Sequence, residues 1–148
     1  MTKLNDLYQQ IIIDHNQHPH NFRVLEHPNY NKEGYNPLCG DKITLYVTTK
    51  DNIITDISFQ GVGCAISTAS TSLMTDAVKG KTTEETLELF TEFQKLITTG
   101  KIHQAEKLGK LAVLAGIFEF PMRVKCATLG WHTLKAILTK NPNTVSTE

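Results

Sequence analysis

Between residues 41 and 60 apolar and polar positions alternate. Ile43, Leu45 and Val47 interleave with Thr44, Tyr46 and Thr48; after Lys50-Asp51-Asn52, Thr55, Ile57 and Phe59 interleave with Asp56, Ser58 and Gln60. Period two on both sides of a short polar turn predicts a β-hairpin with one buried face. Elsewhere the spacing is three to four. Leu4, Leu7, Tyr8, Ile11 and Ile12 share one helical face, and that helix must stop before Pro19. In "QGVGCAISTAS" two glycines release the second strand, and Ile66, Ala69, Ser70, Leu73 and Ala77 then recur at helical spacing, which leaves Cys64 at a helix N-terminus. Gly80 is the C-cap candidate. Thr82 with Glu85 forms a capping box for a helix reaching about residue 97, with Leu87, Phe90 and Leu96 turned inward.

A further helix is expected over "HQAEKLGKLAVLAGI". "FEFPMRVKC" should break at Pro121, and a last helix should run from about Cys126 to Lys140, so that Cys126 also opens a helix and Trp131 and Leu134 fall in the core. Residues 20 to 40, rich in Asn, Pro and Gly, read mostly as loop with room for one short strand. Residues 141–148, "NPNTVSTE", read as a frayed tail.

Composition narrows the class. A chain of 148 residues, 40% hydrophobic, is expected to form one domain over residues 1–148. Fifteen Lys and Arg balance fifteen Asp and Glu, so no basic surplus exists to hold a nucleic-acid backbone. No stretch approaches the roughly 18 apolar residues of a membrane span, and the N-terminal apolar run is too short for a secretory signal. The expectation is a cytoplasmic protein with no nucleic-acid or membrane partner. Three cysteines, an odd number in a reducing compartment, argue against a disulfide framework.

Two apparent motifs fail. "GKT" at residues 80–82 has Thr75 where a phosphate loop needs its first glycine, and a helix in front of it where a strand is required. "GVGCAI" has Ile66 in place of the third glycine of a dinucleotide fingerprint, and the same residue spoils it as a nucleophile elbow. The cysteines remain. A lone buried cysteine is usually a small hydrophobe, but a helix N-terminus favours thiolate, which suits Cys64 and Cys126. Cys39 lies in "NPLCGDKI", in a loop ahead of the hairpin that delivers Cys64, and the last helix needs only to pack on that sheet to add Cys126. Asp41, two residues beyond Cys39 on an extended chain, is the candidate fourth ligand. Such a set favours zinc or an iron–sulfur cluster, with Lys125 and Arg123 available to balance its negative charge. His15, His18, His20 and His27 straddle a helix end and Pro19 and read as solvated loop residues without a ligand role.

The segments "LYQQIIIDHNQHPHN", "NPLCGD", "GVGCAISTAS" and "RVKCATLGWHTLKAIL" together closely resemble the IscU/NifU-like family of iron–sulfur assembly proteins, over nearly the whole chain. The chain is most similar to the SufU branch, in an extra stretch about "AEKLGKLAVLAGIFEFPMR" and in Lys125 where the cluster scaffolds of the family carry histidine. The resemblance implies an α+β domain of SufE/NifU-like architecture, with a small antiparallel sheet of about three strands packed on one face by several helices. It implies one site of Cys39, Asp41, Cys64 and Cys126, holding Zn2+. It implies a zinc-dependent sulfurtransferase in which Cys39 accepts persulfide sulfur from a SufS-like pyridoxal-phosphate cysteine desulfurase, for delivery toward a SufBCD-like scaffold complex. The alternative carried by the same residues is a scaffold on which a [2Fe–2S] cluster is assembled and transferred.

Overall fold

The computed structural model describes residues 3–102, 105–140 and 145–147. Helix α1 (Lys3–Gln17) is followed by strands β1 (Tyr30–Asn36), β2 (Asp41–Lys50) and β3 (Ile53–Val62), and then by α2 (Ala65–Val78) and α3 (Thr83–Thr99). A short α4 (Ala105–Leu108) runs into a 3₁₀ segment at Gly109–Glu119, and α5 (Pro121–Leu138) precedes a two-residue β4 (Val145–Ser146). The expected hairpin is β2–β3, closed by Asp51 and Asn52, both at positive φ (53° and 67°) as a tight two-residue turn requires. Ile43, Leu45, Val47, Ile57 and Phe59 are buried as the alternation predicts. Thr55 is not. The register shifts at Thr48/Thr49, so that Thr48 faces Asp56 and Thr49 faces Ile54, leaving Thr55 as the extra residue and turning Ile54 to the core.

The sheet is larger than three strands. Among the described residues its order is β3-β2-β1-β4, with β1 antiparallel to β2 and β4 parallel to β1, which makes β2 interior and the sheet mixed. β1 escapes the alternation signal because its sequence, YNKEGYN, is almost wholly polar; it forms by pairing in register with β2 from Tyr30↔Val47 to Asn36↔Asp41. Val145 and Ser146 pair with Gly34 and Tyr35, so this part of the expected frayed tail is a strand. Residues 141–144 and 148 of that tail, the Leu4 side chain, and His103 and Gln104 of the expected fourth helix lie outside what is described.

Helices cover one face. α1 ends at Gln17 as Pro19 demands, but its inward stripe is Tyr8, Ile11, Ile12 and His15, with Leu7 turned outward. The capping box forms: Glu85 N–H donates to Thr82 Oγ1 at 3.1 Å and Thr82 N–H to Glu85 Oε1 at 2.9 Å. The helix expected over residues 103–117 is α-helical only at Ala105–Leu108 and continues as 3₁₀. The last helix also differs. Pro121 begins it, sitting in its first turn where a missing N–H costs nothing, so Cys126 lies in the second turn and does not open the helix. Trp131 and Leu134 are core residues, and the indole stacks on Phe93 and Phe90 with ring centroids 4.9 and 5.6 Å apart.

α2 and α5 pack close together. A Cβ on Gly130 would stand 2.6 Å from Thr71 Oγ1, and Ser70 Oγ donates to the Ala127 carbonyl at 2.6 Å. This contact draws the N-terminal half of α5 toward the start of α2. Farther along α5, His132 lies edge-on to Phe90 at 5.1 Å, and burial, reinforced by Lys135, lowers its pKa. A folded-state pKa below the unfolded value of about 6.5 gives stability that is complete above that value and is lost as pH falls through the folded one. Denaturant unfolding of metal-free protein should therefore show falling stability from pH 7 to pH 5, and His132→Gln should shrink the fall. Buried His15, shifted the same way, will supply a remainder. An unchanged slope in the variant would remove His132 from this account.

Candidate metal centre

The turn from β1 to β2 is held by its first residue. Cys39 N–H donates to the Asn36 carbonyl at 3.2 Å, and Gly40 adopts φ 73°, a conformation that disfavours any side chain. Cys39 is thereby exposed at the turn, and Asp41, the first residue of β2, is buried directly beneath. Asp41 Oδ1 accepts the Cys64 backbone N–H at 2.7 Å, and its Oδ2 accepts from Asn36 Nδ2 at 3.2 Å. Cys64 is the N-cap of α2, as its sequence position predicts, and its sulfur accepts the Ser67 N–H at 3.4 Å.

Three of the four expected ligands fall in one group, and Cys64 lies beside it. Donor atoms of Cys39, Asp41 and Cys126 all lie within 4.8 Å of one another, and the Cys126 and Cys39 sulfurs are 3.1 Å apart. Cys64 Sγ stands 3.9 Å from Asp41 Oδ2 and close enough to Cys126 to affect its ionisation. Burial, then hydrogen bonding with Cys39 and Cys64, pushes the Cys126 thiol far above its ordinary range. No helix N-terminus relieves it. Three sulfurs and a carboxylate converge here around the buried Cys126 thiol, and a cation is the counter-charge that such a donor set fits. Its softness suits zinc or a thiolate-held iron–sulfur cluster. Of the two expected balancing cations, Lys125 is half-buried beside Cys126, while Arg123 lies over the Phe120 ring at 5.3 Å.

Asn36 is the residue that sequence reasoning missed. Wholly buried, it gives its carbonyl to the Cys39 turn, and its amide nitrogen reaches both Asp41 Oδ2 and Cys126 Sγ, the latter at 3.3 Å. Its one signal in the sequence is its place before Pro37, which marks a turn and says nothing of a buried amide.

The description NifU-like N terminal domain matches residues 7–138. The chain belongs to this family of iron–sulfur cluster assembly proteins. It is 41% identical over 97% of its length, and 89% of the relative's, to the iron–sulfur cluster assembly scaffold protein IscU of Streptococcus pyogenes serotype M1. It is 39% identical to the zinc-dependent sulfurtransferase SufU of Bacillus subtilis, over 90% of each chain. A solved structure from Fervidobacterium islandicum AW-1, described as a candidate iron–sulfur cluster assembly scaffold protein for the SUF system, superposes with a TM-score of 0.83 at 35% identity, covering 90% of this chain and 98% of that one. No helix among the described residues is long and apolar enough to cross a membrane.

Removing the Asn36 amide strips one donor from a buried carboxylate and one from a buried thiol. Asn36→Ala should cost about 1–3 kcal/mol in denaturant unfolding at fixed metal content. A loss within error would mean that the amide holds nothing the rest of the site does not.

Proposed function

We propose that this chain is a sulfur acceptor for iron–sulfur cluster assembly, with Cys39 as the accepting thiol and Zn2+ held by Cys39, Asp41, Cys64 and Cys126. The observation that carries this reading is the graded exposure of the three thiols: Cys39 exposed, Cys64 half-buried, Cys126 buried. A persulfide made on the cysteine of another protein is reached only by a thiol that the fold leaves outside. The Cys39 thiolate attacks the terminal sulfur of that persulfide. A new S–S bond forms to Cys39, the donor's S–S bond breaks, and the donor cysteine leaves as thiolate, so that no oxidant or reductant is needed. Bound zinc would keep the thiols ionised at neutral pH. Cys64 and Cys126, carried on α2 and α5, keep the site in shape while Cys39 moves on a turn whose Gly40 has no atom, apart from its chain neighbours, within 4 Å of where a Cβ would stand.

The donor is a SufS-like pyridoxal-phosphate cysteine desulfurase, the recipient a SufBCD-like scaffold complex, and the setting the cytoplasm. The relative named a zinc-dependent sulfurtransferase supports this reading. So does Lys125, because an ammonium has no lone pair with which to ligate iron. A second reading, assembly of a [2Fe–2S] cluster on the same four side chains, is favoured by the donor set itself, since three thiols and a carboxylate suit iron as well as zinc.

With desulfurase and free cysteine, intact-mass spectrometry should find one added sulfur atom on the parent protein. Cys39→Ser should gain none and should not stimulate desulfurase turnover, yet remain folded. Cys64→Ser and Cys126→Ser should lose metal and stability together. Sulfur on Cys39→Ser would overturn the acceptor assignment. A stable visible chromophore after anaerobic addition of iron and sulfide, with no sulfur accepted from the desulfurase, would establish the scaffold instead.

A further inference from the structure

A second group of potential ligands lies at the opposite end of α2. Asp76 is twelve residues beyond Cys64, about 18 Å along the helix at 1.5 Å per residue. It meets His15, from the last turn of α1, and His20, from the segment that follows. One donor atom of each lies within 4.8 Å of the other two, and the two imidazole rings are 4.4 Å apart. We propose that His15, His20 and Asp76 form a second cation site, separate from the cysteine centre, that takes a zinc-class divalent ion.

The site is built from the protein outward. His15, only 5% exposed, is fixed by Ser72 Oγ at 2.7 Å from its Nδ1, and that same hydroxyl oxygen accepts the His20 backbone N–H at 2.8 Å. Asp76 Oδ1 accepts from Asn21 Nδ2 at 3.3 Å, and Asn21 is itself anchored to Thr75 Oγ1 at 2.9 Å. Outer partners of this kind orient the ligands of metal sites. Asp76 Oδ2 is left facing His20 Nδ1 at 2.5 Å. Two imidazoles and one carboxylate match zinc, cobalt or nickel; magnesium and calcium prefer all-oxygen shells. His20 and Asp76 remain about half exposed, so an ion could enter from solvent and keep water in its remaining positions. Ligands from α1, from the segment after it and from α2 would make the ion a clasp between the N-terminal helix and the rest of the domain.

The experiment is a calorimetric titration of zinc, and separately of nickel, into full-length protein whose cysteine centre has first been saturated and whose metal content has been measured. One further ion per chain should bind, raise the unfolding temperature and shift the imidazole nitrogen resonances of His15 and His20. His20→Asn and Asp76→Asn should each weaken this step by about tenfold or more, with the metal content of the cysteine centre unchanged. Replacement of both His18 and His27 by Asn should leave it intact. If no second ion binds below about 100 μM, some 5.5 kcal/mol, or if both variants bind as the parent does, the three residues are only a hydrogen-bonded brace and the proposal is wrong. Because the cysteine centre is counted independently, failure here leaves the sulfur-acceptor reading standing.

Discussion

A carboxylate taken out of water must be met by donors, and Asp41, 2% exposed, finds them on two different elements. The Cys64 N–H at the start of α2 donates to one oxygen and the Asn36 amide at the end of β1 to the other. Three pieces of chain are thereby locked at one corner of the sheet: the turn that carries Cys39, the end of β3 with the first turn of α2, and, through the second bond of Asn36, the helix bearing Cys126. The geometry of the thiols follows from satisfying this one buried charge. Asp41 thus has a structural task whether or not it also touches a metal.

What could be read from the sequence was local. The β2–β3 hairpin, the Thr82–Glu85 capping box and the N-cap position of Cys64 all depend on residues within a few positions of one another, and each is found. What was less legible, including the one short strand that residues 20–40 left room for, depends on distant chain. β1 has no apolar alternation because its stability comes from pairing with β2, and β4 exists only because β1 offers its other edge. The shift at Thr48/Thr49 exchanges Thr55 for Ile54 in the core without a mark in either residue's identity. Pro121 was legible as punctuation but not as to sense, since proline ends some helices and begins others. The site divides in the same way: cysteines and Asp41 stand out by type and spacing, whereas Asn36 and Asp76 look like ordinary turn and surface residues until the fold brings them to their partners.

α2 has a further thermodynamic consequence. Ser67, Ser70, Thr71, Ser72 and Thr75 are among its nine buried residues. Thr71 and Thr75 bond back to carbonyls of their own helix and Ser70 to the carbonyl of Ala127, while Gly130 lets Thr71 approach α5. Where Ser70 and Thr71 meet Ala127 and Gly130, the two helices are therefore joined by backbone proximity and a hydroxyl bond. Exposed polar surface lowers the heat capacity of unfolding and exposed apolar surface raises it. Opening that contact thus contributes less to the heat capacity of unfolding than opening an apolar contact of equal area, such as the Phe90–Phe93–Trp131 stack, would.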